Sequence, residues 1–343
     1  MTWCSAPFES RTVQLAHGGG GRAMKRLIDR MFLPAFAAAG DVPHDSAVCV
    51  LGSERIAFTT DSFVVSPLFF PGGDIGTLAV VGTVNDLAMA GAVPRVLSAA
   101  FILEEGFLLD DLGRVVESMR RSAEECGVRI VTGDTKVVPR GKGDGVFITT
   151  AGIGTVAEGV LVHPGRVVAG DVVLVSGDLG RHGIAVLSVR DGIAFDSPVS
   201  SDCAPLHRLT GALCAGGLDV HFMRDATRGG LASVLNECAE GARVDVVVEE
   251  SGIPVSDGVA CACELLGFDP LYVACEGRMV VVVSAAEANE ALGRMRSLPE
   301  GRGAVCIGEV REARGRGQVA LRTRYGTERR LDLLSGEQLP RIC

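Results

Sequence analysis

The residues best suited to chemistry are carboxylates set in apolar surroundings. Asp61 stands in Thr59-Thr60-Asp61-Ser62, where the apolar β segment Arg55 to Val65 meets polar punctuation. Asp86 follows Asn85 inside the helix-like run Ile75 to Leu87, and Asp134 stands in Gly133-Asp134-Thr135-Lys136 just after the strand-like Val128 to Thr132. Ionised carboxylates in such places are costly unless they are paired or bound to metal. Without matching cations nearby for all three, Asp61, Asp86 and Asp134 point together to a hard divalent cation such as Mg2+ beside a phosphate. Taken singly, each is more often a helix cap or turn residue.

Other segments offer anion contacts. Gly18 to Gly21 lie between His17 and a basic amphipathic stretch, Arg22 to Phe32. Glycines let backbone N–H groups approach a phosphate, and a following helix N-terminus favours negative charge. No Gly-Lys-Ser/Thr follows at P-loop spacing and no strand precedes as in a dinucleotide fingerprint, so a flexible linker reads as well. Arg224-Asp225-Ala226-Thr227-Arg228-Gly229-Gly230 precedes a helix and is either an anion cradle or a capped turn. Lys136 is placed to neutralise a phosphate or developing oxyanion, or is an exposed strand lysine. Glu276, in Ala274-Cys275-Glu276-Gly277-Arg278, is a general-base candidate or an ordinary loop glutamate. The six histidines are scattered without metal spacing.

The chain ends on Cys343, a thiol and a free carboxylate at the tip of a tail from about Leu334. Gly336 and Pro340 disfavour helix there, and the stretch from Gly336, fully extended, spans up to about 25 Å. Such an arm reaches a pocket on its own subunit or on a neighbour, or it is an ordinary frayed terminus.

The elements that must position these groups alternate along the chain. Leu112, Val115, Val116, Met119 and Ala123 recur at helical spacing, so Asp110 to Cys126 is an amphipathic helix with an acidic start. Val146 to Ile153 is a further strand, and the glycine- and proline-rich stretch Thr155 to Asp171 is the best domain boundary. Beyond it, Val172 to Val175, Val244 to Val248, Met279 to Val283 and Ala304 to Ile307 read as strands, with helices at Ser233 to Glu240 and Ala286 to Leu298. The pattern is α/β (α+β) in two layered domains. The divisions expected are 1–40, a glycine-rich segment; 41–158, an N-terminal domain; 159–333, an α/β domain; and 334–343, a flexible tail.

At 343 residues, with 47% apolar and 22% charged residues, the chain is globular and long for one core. A net charge of −9 argues against nucleic-acid or anionic-membrane partners. Met1 to Val13 carries Glu9 and Arg11 and no apolar core of a signal, and no uncharged run reaches a membrane span. Eleven cysteines without a regular framework fit a reducing cytoplasm. Cys261 and Cys263, on a predicted helix, point to different faces and read as structural.

Several stretches carry a resemblance that runs nearly end to end. They are Leu15-Ala16-His17-Gly18-Gly19-Gly20-Gly21-Arg22-Ala23-Met24, Thr59 through Phe69-Phe70-Pro71-Gly72-Gly73, Asn85-Asp86, Phe101 to Gly106 and Thr132 to Val138. Arg224 to Gly230, Glu276-Gly277 and the terminal Pro340-Arg341-Ile342-Cys343 complete them. In these the chain resembles the hydrogenase-maturation carbamoyl dehydratase (HypE) family, within the aminoimidazole ribonucleotide synthetase superfamily. The terminal Pro-Arg-Ile-Cys singles out that family. One departure is Gly18 to Gly21, where a serine is expected among the glycines.

The resemblance implies a homodimer whose N-terminal sheets pair into a barrel, with ATP and Mg2+ near the interface and a C-terminal α/β domain covering the site. It implies Asp61, Asp86 and Asp134 as metal ligands. Gly19, Gly20, Gly21, Asp45, Ser62, Asn85, Gly133, Thr135 and Arg228 become nucleotide contacts, and Cys343, Glu276 and Lys136 catalytic groups. The implied chemistry is ATP-dependent dehydration of a carbamoyl group on Cys343 to a thiocyanate. HypF is then the carbamoyl donor, and iron on the HypC–HypD complex, destined for [NiFe]-hydrogenase, the cyano acceptor. The rivals are a selenophosphate synthetase, a small-molecule kinase such as thiamine-monophosphate kinase, or a non-catalytic scaffold displaying Cys343. Residues 17 to 25 lack the cysteine a selenophosphate synthetase needs, and a kinase has no use for a terminal thiol.

Overall fold

A computed structural model describes residues 12–36, 44–193, 195, 198–334, 339 and 341–343. Residues 1–11 and 37–40 of the expected N-terminal segment, and Gly336 and Pro340 of the tail, lie outside the described residues. The chain opens with helical turns, α1 (Arg22–Leu27) and α2 (Leu33–Phe36), and then builds a first sheet. Its elements are β1 (Ala47–Leu51), β2 (Glu54–Phe63), the short pair β3 (Phe69–Phe70) and β4 (Gly73–Asp74), α3 (Ile75–Met89), β5 (Ala92–Glu104), α4 (Leu109–Cys126), β6 (Arg129–Val138) and β7 (Val146–Val156). The large sheet has the order β1-β2-β7-β5-β6, antiparallel except for the parallel β5–β6 pair joined through α4.

α3 is apolar on every side because it is buried on every side, between the sheet and α4 and the second domain. Asp74 caps it by accepting from Thr77 N at 2.8 Å. α4, by contrast, has one buried face (Val115, Met119, Ala123) and ends on Gly127 at φ 66°, a left-handed turn that suits glycine. Among the described residues only the inner face of the sheet has this cover. On the outer face Phe58, Ile102 and Ile153 stand exposed at alternate positions.

The second domain contains β8 (Asp171–Val175), α5 (Arg181–Arg190), α6 (His207–Cys214), β9 (Val220–Asp225), α7 (Gly230–Ala242), β10 (Val244–Glu249), α8 (Asp257–Leu266), β11 (Met279–Ser284), α9 (Ala288–Arg296), β12 (Val305–Glu312), β13 (Val319–Arg322) and β14 (Glu328–Arg330). Its sheet has the order β14-β13-β10-β12-β8-β11-β9. Met279 to Val283 are wholly buried, as a strand covered on both faces must be, with α7 on one side and α6 and α9 on the other. Cys261 is exposed and Cys263 buried, so the pair does diverge around α8. No helix among the described residues is long and apolar enough to cross a membrane.

Two expectations about strand ends shift. β2 runs through Thr59-Thr60-Asp61-Ser62 to Phe63, and β6 runs through Gly133-Asp134 to Val138. Asp61 and Asp134 are thus strand residues, and the pleat decides which face each serves.

Candidate active site

A cluster of carboxylates forms where β2, the second half of α3 and the end of β9 converge. Asp45 precedes β1, Asp86 lies on α3 and Asp225 ends β9, and ligand oxygens of the three lie within 4.8 Å of one another. Thr59 ties the group together, its Oγ1 lying 2.9 Å from Asp86 Oδ2 and 2.9 Å from the Asp45 carbonyl. Arg224 Nε meets Asp45 Oδ1 at 3.0 Å, while Asp45 Oδ2 is buried without a partner. Burial pushes the Asp86 carboxyl well above the ordinary range, and Asp225, Asp45 and Asp61 push it further. Asp225 is raised in the same way, by burial and then by Asp45, with Arg224 opposing. An all-oxygen donor set with excess buried negative charge and an orphaned oxygen fits a hard divalent cation. Asp45, Asp86 and Asp225 would hold it, with Asp61 alongside.

The raised groups have a consequence for stability. Between the ordinary carboxylate pKa of about 4 and the raised values, the native state keeps protons that the unfolded chain has released. Without a divalent cation, stability contributed by Asp86 and Asp225 therefore falls as pH rises through that window. Bound Mg2+ replaces the protons. At a hundredfold excess over Kd it should add about 2.7 kcal/mol, with a larger rise in Tm at alkaline than at mildly acidic pH. Melting curves with and without Mg2+ check this, and Asp225→Asn should shrink the increment. An increment independent of both pH and Asp225 would remove the cation site.

Asp61 links this cluster to a second feature. It lies on the inner face of β2, where a Cβ placed on Gly82 of α3 would be 3.7 Å from its Oδ2. Burial raises its carboxyl and Arg228 lowers it. The negative charges of Cys343, Asp61, Glu276 and Asp86 favour the charged Arg228, against the cost of its burial. The glycine loop holds this arginine in place: Arg228 Nη1 donates to Gly18 O at 3.0 Å, and Ser233 Oγ donates to Gly20 O at 3.1 Å. Gly20 has φ 74°, and a Cβ there would lie 2.5 Å from Arg228 O, so the close approach requires glycine.

Cys343 lies in the cavity this arrangement leaves. Gly19, Ser62, Arg228, Gly229, Tyr272 and the tail itself line a space of about 70 Å³, room for a group of a few atoms. Burial pushes the thiol pKa far up, Glu276 and Asp61 add to that, and Arg228 opposes it. Glu276 is buried with Oε1 unpartnered, and burial, then Asp225, Asp61 and Asp202, lift its carboxyl well above the usual range. A protonatable oxygen of raised basicity, aimed at no protein partner, is what a general base requires.

The geometry separates the sequence-derived set. Cys343, Glu276, Arg228, Asp61, Asp86, Asp45, Ser62 and Gly19 gather around these neighbouring spaces, while Gly20 and Gly21 face an adjoining cavity with Lys25, Arg224 and Glu237. Asp134 does not join Asp61 and Asp86 within one chain. β7 and β5 lie between β2 and β6, a separation of about 14 Å at ~4.8 Å per strand. The register also puts Asp134 opposite Ala100 and thus in line with Ser62 on the outer face, whereas Asp61 faces inward. Lys136 shares that outer face and is ion-paired to Asp134 at 2.7 Å, away from Glu276. Gly133 and Thr135 look into an open groove beside α4. Asn85, expected as a nucleotide contact, has its amide engaged by protein groups. Its Oδ1 accepts from Leu206 N at 2.8 Å, and its Nδ2 donates to the carbonyls of Ala204 (3.2 Å) and Glu276 (3.3 Å), so it positions the Glu276 loop. Asp225 takes the place expected for Asp134. The signal in the sequence was weak, since His221 and Arg224 interrupt the apolar pattern of the strand that Asp225 ends.

Family models describe the two halves: the AIR synthase related protein N-terminal domain matches residues 43–156, and the corresponding C-terminal domain residues 168–320. Among curated relatives, the carbamoyl dehydratase HypE of Cupriavidus necator is 52% identical over 340 residues, covering 98% of this chain and 96% of that protein. Among solved structures, a HypE–HypF complex matches with TM-score 0.85 at 47% identity, over 90% of this chain and 99% of the other. The hydrogenase maturation protein HypE in complex with ATP matches with TM-score 0.82 at 46% identity, over 97% of this chain and 100% of the other.

Proposed function

The chain belongs to the carbamoyl dehydratase HypE family of AIR synthase related proteins, and we propose that it converts an S-carbamoyl group on its own Cys343 into a thiocyanate at the expense of ATP. The observation that carries this reading is the seat of Cys343, which shares its cavity with Arg228 and lies within the electrostatic reach of Glu276, Asp61 and Asp225.

The thiocarbamate oxygen is a poor leaving group. Transfer of the γ-phosphoryl of ATP to that oxygen makes it phosphate. Loss of phosphate and of both N–H protons then leaves S–C≡N, ADP and inorganic phosphate, the oxygen departing with the phosphate. A divalent cation held by Asp45, Asp86 and Asp225 supplies neutralising charge to phosphate oxygens. Glu276 takes the N–H protons, and Arg228, fixed on Gly18 O, stabilises charge on the departing oxygen.

The active unit is a homodimer joined through the outer faces of the N-terminal sheets. The exposed Phe58, Ile102 and Ile153 support this, because apolar side chains alternating along paired strands are otherwise left in water. The same face carries Asp134 and Lys136, so the two residues that do not reach their own chain's site serve the partner's. A HypF-type carbamoyltransferase supplies the carbamoyl group, and an iron-carrying HypC–HypD complex receives the cyano group, in a cytoplasmic setting.

Intact mass spectrometry of carbamoylated protein before and after Mg-ATP tests the chemistry. The expected result is the loss of the mass of one water from the C-terminal peptide, with one ADP formed per chain. An unchanged mass with ATP consumed would overturn it.

A further inference from the structure

The tail is held by its main chain, and one of the holders is a buried histidine that the chemistry above does not use. Val64 N donates to Cys343 O at 2.9 Å and Ser66 N to Arg341 O at 3.2 Å, so residues 341–343 run antiparallel to the segment that follows β2. Arg341 Nε returns a bond to Val64 O at 3.1 Å, and its guanidinium pairs with Asp144. The carbonyl between them, that of Ile342, points the other way, to His182 Nε2 at 2.8 Å. Ile342 itself is buried among Phe63, Val65, Val186 and Ala274.

His182 has no freedom in this role. It is fully buried near the N-terminus of α5, its ring edge-on to Phe70 at 5.3 Å. Ser201 Oγ accepts from Cys203 N at 3.0 Å and lies 2.9 Å from His182 Nδ1. A carbonyl only accepts, so Nε2 carries the proton; in the neutral ring Nδ1 then accepts from the Ser201 hydroxyl. Ser201 thereby selects the tautomer and turns the ring toward the tail. Burial lowers the ring pKa, which keeps it neutral. Arg341 meanwhile sits at φ 55°, a left-handed conformation that a side-chain-bearing residue keeps only where its surroundings enforce it.

We infer that His182 is a positioning residue for the carrier arm: aimed by Ser201, it fastens the Ile342 carbonyl and so sets where the Cys343 sulfur stands. The fastening reads the backbone alone. Thiol, thiocarbamate and thiocyanate therefore dock by the same bonds, and the sulfur is left free for cargo. The inference rests on the proposed carrier role for its purpose, but its test does not require that chemistry.

Hydrogen exchange at the Val64 and Ser66 amides reports docking, because both bonds exist only with the tail in place. Site-resolved alkylation compares Cys343 with the exposed Cys261 as internal reference. His182→Leu should lower protection of both amides and raise the Cys343:Cys261 labelling ratio about five- to tenfold, the weight of one buried hydrogen bond. His182→Gln, which keeps an N–H donor, should recover part of the difference. In carbamoylated wild-type protein the two amides should stay as protected as in the free thiol form, and dehydration in His182→Leu should slow by the same factor with ATP affinity unchanged. If His182→Leu also exposes the buried Cys263, the fold has failed and Ser201→Ala decides, with a two- to fivefold rise in labelling expected from loss of ring orientation. An unchanged ratio in a folded His182→Leu, or in Ser201→Ala when it decides, overturns the inference. Loss of amide protection on carbamoylation overturns its indifference to cargo. Normal docking in wild-type protein that never dehydrates its thiocarbamate would instead remove the proposed function.

Discussion

Glu276→Gln should bind ATP and accept the carbamoyl group normally, yet dehydrate it about 10²- to 10⁴-fold more slowly, the usual loss when a general base is removed. The substitution keeps volume and shape, so the buried loop should persist: Glu276 N still reaches Asp202 Oδ1 at 3.4 Å, and its carbonyl still accepts from Asn85. What disappears is the basicity of an oxygen that no protein donor satisfies. Single-turnover quench with intact-mass detection separates the outcomes. Accumulated phosphate ester or unreacted thiocarbamate supports the assignment, and a rate within a few-fold of wild type would remove Glu276 from the mechanism. The pH profile adds a sign. Because burial and the neighbouring Asp225, Asp61 and Asp202 raise its pKa, the ionised base is scarce in acid, and the dehydration rate should climb with pH until Glu276 has ionised.

Cys343→Ala should abolish product altogether while leaving nucleotide binding and Mg2+ stabilisation intact. Among the described residues no other cysteine lines the cavity. Cys203 and Cys275 are nearest in environment, and burial pushes both thiols well above the ordinary range. The docked Cys343 shares that suppression, which has a functional reading. Burial in the pocket disfavours the thiolate, so loading is expected with the tail in solvent, where an ordinary thiol pKa of about 8.5 applies. Mass spectrometry after incubation with transferase, carbamoyl donor and ATP checks the point, since a wild-type mass change surviving in Cys343→Ala would relocate the carrier. Residual ATP turnover in this variant should be slow, because the thiocarbamate oxygen that accepts the phosphoryl group is missing.

Much of this site was legible without coordinates. A carboxylate next to an apolar run has few stable environments, and that reasoning singled out Asp61 and Asp86; it passed over Asp225 because His221 and Arg224 break the apolar pattern before it. The glycine loop was legible as an anion-type element, though its visible task is to cradle Arg228, which only the contact at Gly20 makes plain. What Asn85 does for the fold was not legible: its amide is engaged by Leu206, Ala204 and Glu276, contacts that its place beside Asp86 does not announce.

What the sequence by itself determined was local and compositional. It specified amphipathic α4, the apolar strands, the terminal thiol and the types of group available for phosphate chemistry. The tertiary structure alone decided which of them meet. Asp61 and Asp134 look equivalent along the chain, yet strand order separates them and the two-residue pleat turns them to opposite faces. The tail looked unconstrained in sequence, yet its last residues dock on β2's continuation and on His182, contacts made across more than a hundred residues of chain. Sequence pattern encodes periodicity and solvation, which act over a few residues. Register, sheet order and burial between domains are set by long-range packing that no local pattern records.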